Sequence, residues 1–354
     1  MLRSFHGFAL ISLGIAGACA AIPSEGDPAL EVVASAETAP VGTENEDAAD
    51  DPAIWRNAAD PSASLIVGTD KRAGLHVYNL AGDQISFMEG AGLNNVDLVE
   101  LADGRVLVAA SDRSDLENVH IRLAVLDTQA GMLSEFARLP VGDGEGYGVC
   151  MGDPASDGSV DIYSAPKNGV IYHNQVRLTS AADEEGVRFE SEELGEIARV
   201  PSQPEGCVVD PRSNTLYIGE EAAGIWAIDL ASREKSLVAP TGTGMLVADV
   251  EGLALAPDGE DAGYLVASSQ GDNAYAVYSL PGHEPLGRFR IGEGEFGSTE
   301  ETDGIALDPR GFGPGFPAGL FIAQDGLNAP SAQNFKLVRW DAVLEQLARE
   351  DTAD

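Results

Sequence analysis

Six short stretches of this sequence set a polar or acidic side chain at the head of an apolar run. They are Asp51-Pro-Ala-Ile-Trp, Asn95-Val-Asp-Leu, Tyr147-Gly-Val-Cys, Glu205-Gly-Cys-Val, Glu251-Gly-Leu-Ala and Asp303-Gly-Ile-Ala. Four of the six heads are carboxylates, and further acids stand close by: Asp50 beside Asp51, the Glu220-Glu221 pair, and Asp249 two residues before Glu251. A spacing of two puts side chains on the same face of a strand. Carboxylates converging in one place repel each other unless cations sit between them, and an oxygen-only donor set suits calcium or magnesium. Taken singly, each acid reads equally well as a turn residue, and a calcium cluster can also serve rigidity alone.

A second signature follows each run: a strand, a short polar bend and often another strand. With the six copies lined up on the small residue that ends the strand, Lys71, Arg113 and Lys167 fall three residues past Gly68, Ala110 and Ser164. The same step from Gly219, Ser268 and Ala323 gives Ala222, Gly271 and Gly326. The first three copies offer cations and the last three do not. In a chain with 21 basic residues, three in register make an anion receptor facing an acidic cluster, chance or salt bridging being the competing account. Tyr147 adds a hydroxyl donor. Cations, metal-binding carboxylates and no nucleophile point to metal-assisted hydrolysis of a phosphate ester. A cysteine phosphatase is excluded because Ser156 and Ser213 stand where Cys150 and Cys207 would need an arginine. There is no Arg-His-Gly run, and His76, His120, His173 and His283 lack zinc spacing.

The elements that must position these residues follow from their intervals, which are 44, 52, 58, 46 and 52 residues. Six units of that length, each built of short alternating apolar strands among 41 Gly and 19 Pro, match the period of propeller blades. The expected fold is all-β, a six-bladed β-propeller over residues 31–345. A short strand within residues 29–41 is expected to pair into the last blade and close the ring. Val343–Asp351 is the best helix candidate, expected as a surface cap.

The 354 residues are 44% hydrophobic and carry a net charge of −37. Such a chain can bury a core, but its charge repels phosphate backbones, which excludes nucleic acid as a partner. Residues 1–20 combine Arg3, an apolar run and small residues up to Ala21, and are read as a signal peptide with cleavage after Ala20. The protein is therefore expected to be exported, periplasmic or secreted. An outer-membrane lipid anchor at Cys19 is the second reading, because the preceding Ala16-Gly17-Ala18 lacks an aliphatic residue. No other stretch is long and apolar enough to span a bilayer. Cys150 and Cys207 either pair or remain as two buried thiols.

The runs Asp50-Asp51-Pro-Ala-Ile-Trp, Asn94-Asn95-Val-Asp, Tyr147-Gly, Pro204-Glu205-Gly, Asp249-Val-Glu251-Gly-Leu, Ala267-Ser-Ser-Gln270-Gly, Thr302-Asp303-Gly-Ile and Ala323-Gln-Asp325-Gly resemble those of the β-propeller phytases. The likeness extends from about Glu31 to Trp340. It implies calcium-dependent hydrolysis of myo-inositol hexakisphosphate, of the 3-phytase type, at separate cleavage and affinity sites. By position it implies that Lys71, Arg113, Tyr147 and Lys167 hold phosphate oxygens. It also implies that Asp50, Asp51, Glu205, Glu220, Asp249, Glu251 and Asp303 bind several active-site calcium ions, and that Asp325 holds a structural one. Two departures stand out. Asn168 follows the third-blade lysine where the family often has an acid, and Leu98-Val99-Glu100 follows Asn-Asn-Val-Asp where it often has a base. The expected mechanism is direct attack of a calcium-activated water on phosphorus, in a monomer. The competing classes are a six-bladed calcium-dependent lactonase and a non-catalytic exported binding module.

Overall fold

The computed structural model describes residues 25–44, 46–181 and 186–350. The expected signal peptide and Cys19 lie outside the described residues. The chain forms six sheets arranged as blades, and the innermost strands are Ala49–Trp55, Leu93–Glu100, Gly148–Met151, Pro204–Asp210, Val250–Asp258 and Ile305–Asp308. Each blade runs antiparallel from its inner strand outward.

Burial explains the hydrophobic pattern. The second strands are covered on both faces by neighbouring blades, so Leu65–Asp70 and Val106–Asp112 are buried throughout. The outer strand Gln84–Glu89 has no buried residue. Apolar side chains gather at the seams, where six clusters fill the six gaps between adjacent blades. Trp55, Val67 and Val77 of blade one meet Leu93, Val96 and Val108 of blade two, for example. Burial of this kind stabilises by about 25 cal/mol per Å² of apolar surface, so each seam is held mainly by packing.

Closure uses two strands rather than the expected one. Ala36–Glu37 pairs antiparallel with Asn334–Arg339 and completes blade six, while Leu30–Val33 pairs parallel with Pro285–Gly292 as a fifth strand of blade five. The N-terminal segment thus fastens two blades. The helix spans Trp340–Glu350, starting three residues before the expected Val343. Its Trp340, Val343 and Leu347, at helical spacing, are buried in the cluster between blades five and six. Among the described residues no helix is long and apolar enough to cross a membrane. Cys150 and Cys207 are joined by a disulfide with their Cα atoms 5.7 Å apart.

Candidate active site

Inner strands begin, and second strands end, at the same rim, so both signatures meet at one mouth of the central channel. In four blades the head of the inner strand carries a β-bulge. Three steps of the inner strand lie opposite two of its neighbour at Ala49/Pro52, Leu93/Val96, Pro204/Cys207 and Val250/Leu253. A bulge re-aims the side chain it carries. Equating the four bulges makes Asp50, Asn94, Glu205 and Glu251 equivalent, with Asp51, Asn95, Gly206 and Gly252 next in line. The expectation that Asp51 and Asn95 head the first two repeats is therefore one residue late. Both line the channel below the mouth, where Asp51 Oδ2 accepts from the Val96 N–H at 3.1 Å. With a side-chain period of two, one step reverses the face, and the Asp-Asp and Asn-Asn doublets conceal it.

The second signature slips in the same way. Lys71, Arg113 and Lys167 donate their backbone N–H to the carbonyls of Ala48, Gly92 and Glu145 at 2.7, 2.8 and 3.2 Å. On blades four and five the same bond is made by Glu221 to Gln203 and by Gln270 to Asp249, each at 3.0 Å. The residues in register are therefore Glu221 and Gln270, not Ala222 and Gly271. Where the first three blades present cations, the fourth presents an acid.

A cavity of about 460 Å³ opens at this mouth, lined by Lys71, Tyr147, Glu205, Asp249, Glu251 and Asp303 among others, including Glu221 and Gln270. One carboxylate oxygen from each of Glu205, Glu221 and Glu251 lies within 4.8 Å of the others. Burial, reinforced by the neighbouring Glu251, pushes Glu205 well above the usual carboxylate range. Burial likewise raises Glu251 to about 8 and raises Glu221. Glu251 Oε2 is buried without a hydrogen-bond partner among the described residues. Asp50 contributes from the side: its Oδ2 accepts from Asn94 Nδ2, which also donates to Glu205 Oε1, both at 2.9 Å.

Besides Asp51, the expected active-site ligand Glu220 faces away from the mouth, and Asp325, expected on a structural ion, lies outside it. Glu220 accepts from the Ser202 N–H at 2.6 Å, from its hydroxyl, and from Trp226 Nε1 at 2.7 Å, so it anchors blade four and does not line the cavity. Asp325, also outside the cavity, accepts from the Glu300 N–H at 3.2 Å and lies 3.3 Å from the buried Lys336 ammonium, which already supplies it with a counter-charge.

The phosphate-binding candidates fall into two groups. Lys71 is buried among acids, its Nζ 2.8 Å from Asp47, 3.0 Å from Asp50 and 3.3 Å from Asp303. Burial opposes its charge, yet these three carboxylates carry its pKa well above the ordinary lysine value. Arg113 and Lys167 stand beside Tyr147, with the guanidinium 5.8 Å and the ammonium 4.4 Å from the ring centre. Glu145 bridges them, 3.2 Å from Lys167 Nζ and 3.9 Å from Arg113 Nε, and Arg113 Nη1 donates to Asn94 Oδ1 at 2.7 Å. Burial, with Glu205 and Asp50, raises Tyr147 far above the ordinary phenol range, so its hydroxyl keeps its proton. Asn168, at the first departure, donates to the Asp143 carbonyl at 2.9 Å and shapes the turn.

Asp47, Asn94, Glu145 and Gln270 were not singled out as site residues by sequence reasoning, and Glu221 entered only as half of a pair whose Glu220 was expected to be the ligand. A signal existed for Glu145, which precedes Tyr147 by two residues as Asp249 precedes Glu251. For Asn94 only the bulge register discriminates within its doublet, and for Glu221 only the backbone bond to Gln203 and the cavity lining do.

Comparison with known proteins agrees with this geometry. The model of the family described as Phytase matches residues 1–354. A 3-phytase of Bacillus subtilis (strain 168) is 35% identical over 345 residues, covering 90% of this chain and 85% of that protein. A match of that length takes in every blade together with the acidic and cationic halves of the mouth, and on it this chain belongs to the Phytase family.

Proposed function

We propose that this protein hydrolyses phosphate monoesters of myo-inositol hexakisphosphate, with calcium held by the mouth carboxylates. The observation that carries the reading is the cluster of buried Glu205 and Glu251 with half-buried Glu221 on one side of a mouth whose other side bears Tyr147, Lys167 and Arg113. The donor set fits calcium: it is all oxygen, it is crowded enough to push the buried acids up, and Glu251 Oε2 has no hydrogen-bond partner among the described residues. Glu205, Glu221 and Glu251 would hold the ions, with Asp249, Asp303 and Asp50 at their edge. Bound there, calcium would offset phosphate charge and help water ionise.

The protein's own groups supply the rest. Tyr147, protonated at any physiological pH, donates its hydroxyl to a phosphate oxygen. Arg113 and Lys167 bind the phosphate face turned away from the acids, and Glu145 holds the two cations at their spacing until substrate arrives. Lys71 offsets part of the charge of Asp47, Asp50 and Asp303 and lines the cavity, within reach of a reacting phosphate. Donors preset where negative charge gathers favour the transition state over the ground state.

The test is phosphate release from phytate and from an aryl phosphate by purified protein, with calcium or with chelator. Calcium-dependent release from phytate is expected, and none under calcium saturation would refute the reading. We also propose that residues 1–20 direct export. The mass of the protein recovered outside the cytoplasm should correspond to a chain starting at Ala21, and an intact Met1 there would refute it.

A further inference from the structure

Hydrogen bonds between adjacent blades fasten the inner ring around the channel. Val96 N–H donates to Asp51 Oδ2 at 3.1 Å, and Met151 N–H to Asp97 Oδ2 at 2.8 Å. Val250 N–H donates to the Glu221 carbonyl at 3.0 Å, Gly252 N–H to that of Asp303 at 3.1 Å, and Gly304 N–H to that of Asp50 at 3.0 Å. Between blades three and four, Gly148 packs directly against the Glu205 carbonyl, an added Cβ lying 2.0 Å from its oxygen. Pro204, the equivalent of Val250, has no N–H with which to repeat the Val250 bond at this seam. The Cys150–Cys207 disulfide ties those two inner strands covalently.

That seam has a particular place in the mouth, for it separates Tyr147 and Lys167 on blade three from Glu205 and Glu221 on blade four. Tyr147 immediately precedes the strand that carries Cys150, and Glu205 lies two residues before Cys207 on one strand, about 7 Å along it. We infer that the Cys150–Cys207 disulfide is a positioning element that fixes the phosphate-binding half of the mouth against the metal-binding half. The inference rests on the roles given to Tyr147 and Glu205 above. Cys207 is partly exposed and lines the channel below the mouth, so a small dithiol reaches this sulfur first. Its thiolate attacks Cys207 Sγ, the S–S bond breaks and Cys150 leaves as a thiol. The second reductant thiol then displaces Cys207 and closes a cyclic disulfide on the reductant, with two electrons and two protons delivered to the protein.

The experiment compares oxidised wild type, wild type reduced with dithiothreitol and alkylated, and Cys150→Ala/Cys207→Ala, all at 25 °C with tertiary structure checked by near-ultraviolet circular dichroism. Thiol titration of the denatured, untreated protein should find no free thiol at Cys150 or Cys207, and two would overturn the inference at once. Kinetics on phytate, calcium binding by calorimetry and melting are then read, alone and combined with Tyr147→Phe. Opening the bridge should raise KM for phytate roughly tenfold, below the ~100-fold loss that a misplacement of about 1 Å can bring. It should also weaken calcium binding and shrink the effect of Tyr147→Phe. A lower melting temperature with unchanged kinetics, calcium affinity and Tyr147→Phe effect would mean that the bridge only stabilises. If the double variant fails to fold, the reduced and alkylated wild type decides. Oxidised wild type that is inactive on phytate would bring down the functional reading and this inference together, whereas an active protein indifferent to opening the bridge would bring down this inference alone.

Discussion

Lys71 on blade one and Asp303 on blade six face each other across the seam where the ring closes, 3.3 Å apart, with Asp50 and Asp47 on the same ammonium. A single cation thus serves three carboxylates from two blades, and Lys71 is 8% exposed. A second tie crosses the same seam, from Gly304 N–H to the Asp50 carbonyl. The closing seam of the propeller and the acidic edge of the mouth are therefore one structure.

Removing that cation leaves buried acids without a counter-charge. Lys71→Met should cost about 3–5 kcal/mol of stability in metal-free protein, the usual penalty for breaking a buried ion pair. Added calcium should restore part of it, because a ligand of the folded state stabilises by mass action. Melting curves of both proteins with calcium and with chelator check this. A variant as stable as wild type without metal would contradict it.

The Glu220-Glu221 doublet separates two roles. Glu221→Gln should weaken calcium binding while shifting the melting temperature of metal-free protein little or upward, since it removes one of three crowded acids. Glu220→Ala should leave calcium affinity intact but lose about 1.5–3 kcal/mol of stability, because a charged acceptor for Ser202 and Trp226 is gone. Calorimetric calcium titration and denaturant unfolding of the two variants should show opposite profiles.

The bulge predicts a similar contrast at the Asn doublet. Asn94 orients Arg113 and bonds both Asp50 and Glu205, so Asn94→Ala should raise KM for phytate about tenfold, ~1.4 kcal/mol. Asn95→Ala, facing the channel, should change it less than twofold, a difference that steady-state kinetics resolves.

Protonation couples to stability through Glu251. Its carboxyl, pushed up to about 8 by burial, ionises near its ordinary 4.5 once the chain unfolds. Between those values the folded state keeps a proton that the unfolded state has released, so the stability of metal-free protein should fall as pH rises from about 5 to 8. Calcium requires the ionised carboxylate and displaces that proton. The melting-temperature gain on adding calcium should therefore grow with pH across the same window, which a pH series of melting curves with and without calcium would show.

Arg113 touches Asn94, Glu145 and the face of Tyr147, away from the metal candidates. Arg113→Ala should cost about 1.5–3 kcal/mol in kcat/KM on phytate, for one charged contact, and much less on an aryl phosphate that reaches only the acidic side. Equal losses on both substrates would place Arg113 at the reacting phosphate.

The ring was legible in the sequence because a blade is a local object. Alternating strands, turn residues and a period near fifty are set within each repeat, so six blades, the closing strand and the helix from Val343 onward could be read without contacts. The acidic and cationic halves were legible too, since Lys71, Arg113 and Lys167 recur at matching positions in successive repeats. Only the tertiary structure decided which member of each doublet faces the mouth. Asp50 rather than Asp51 and Asn94 rather than Asn95 are settled by bulges, and Glu221 rather than Glu220 by the bonds each makes to blade four; all depend on how strands pair, not on composition along one. The partner of Asp325 was out of reach for a related reason: Lys336, and that lysine's second partner, Glu37 of the N-terminal strand, meet it only when the ring closes. The disulfide likewise needed the fold, because 57 residues separate Cys150 from Cys207 and only the packing of blade three on blade four brings their strands side by side.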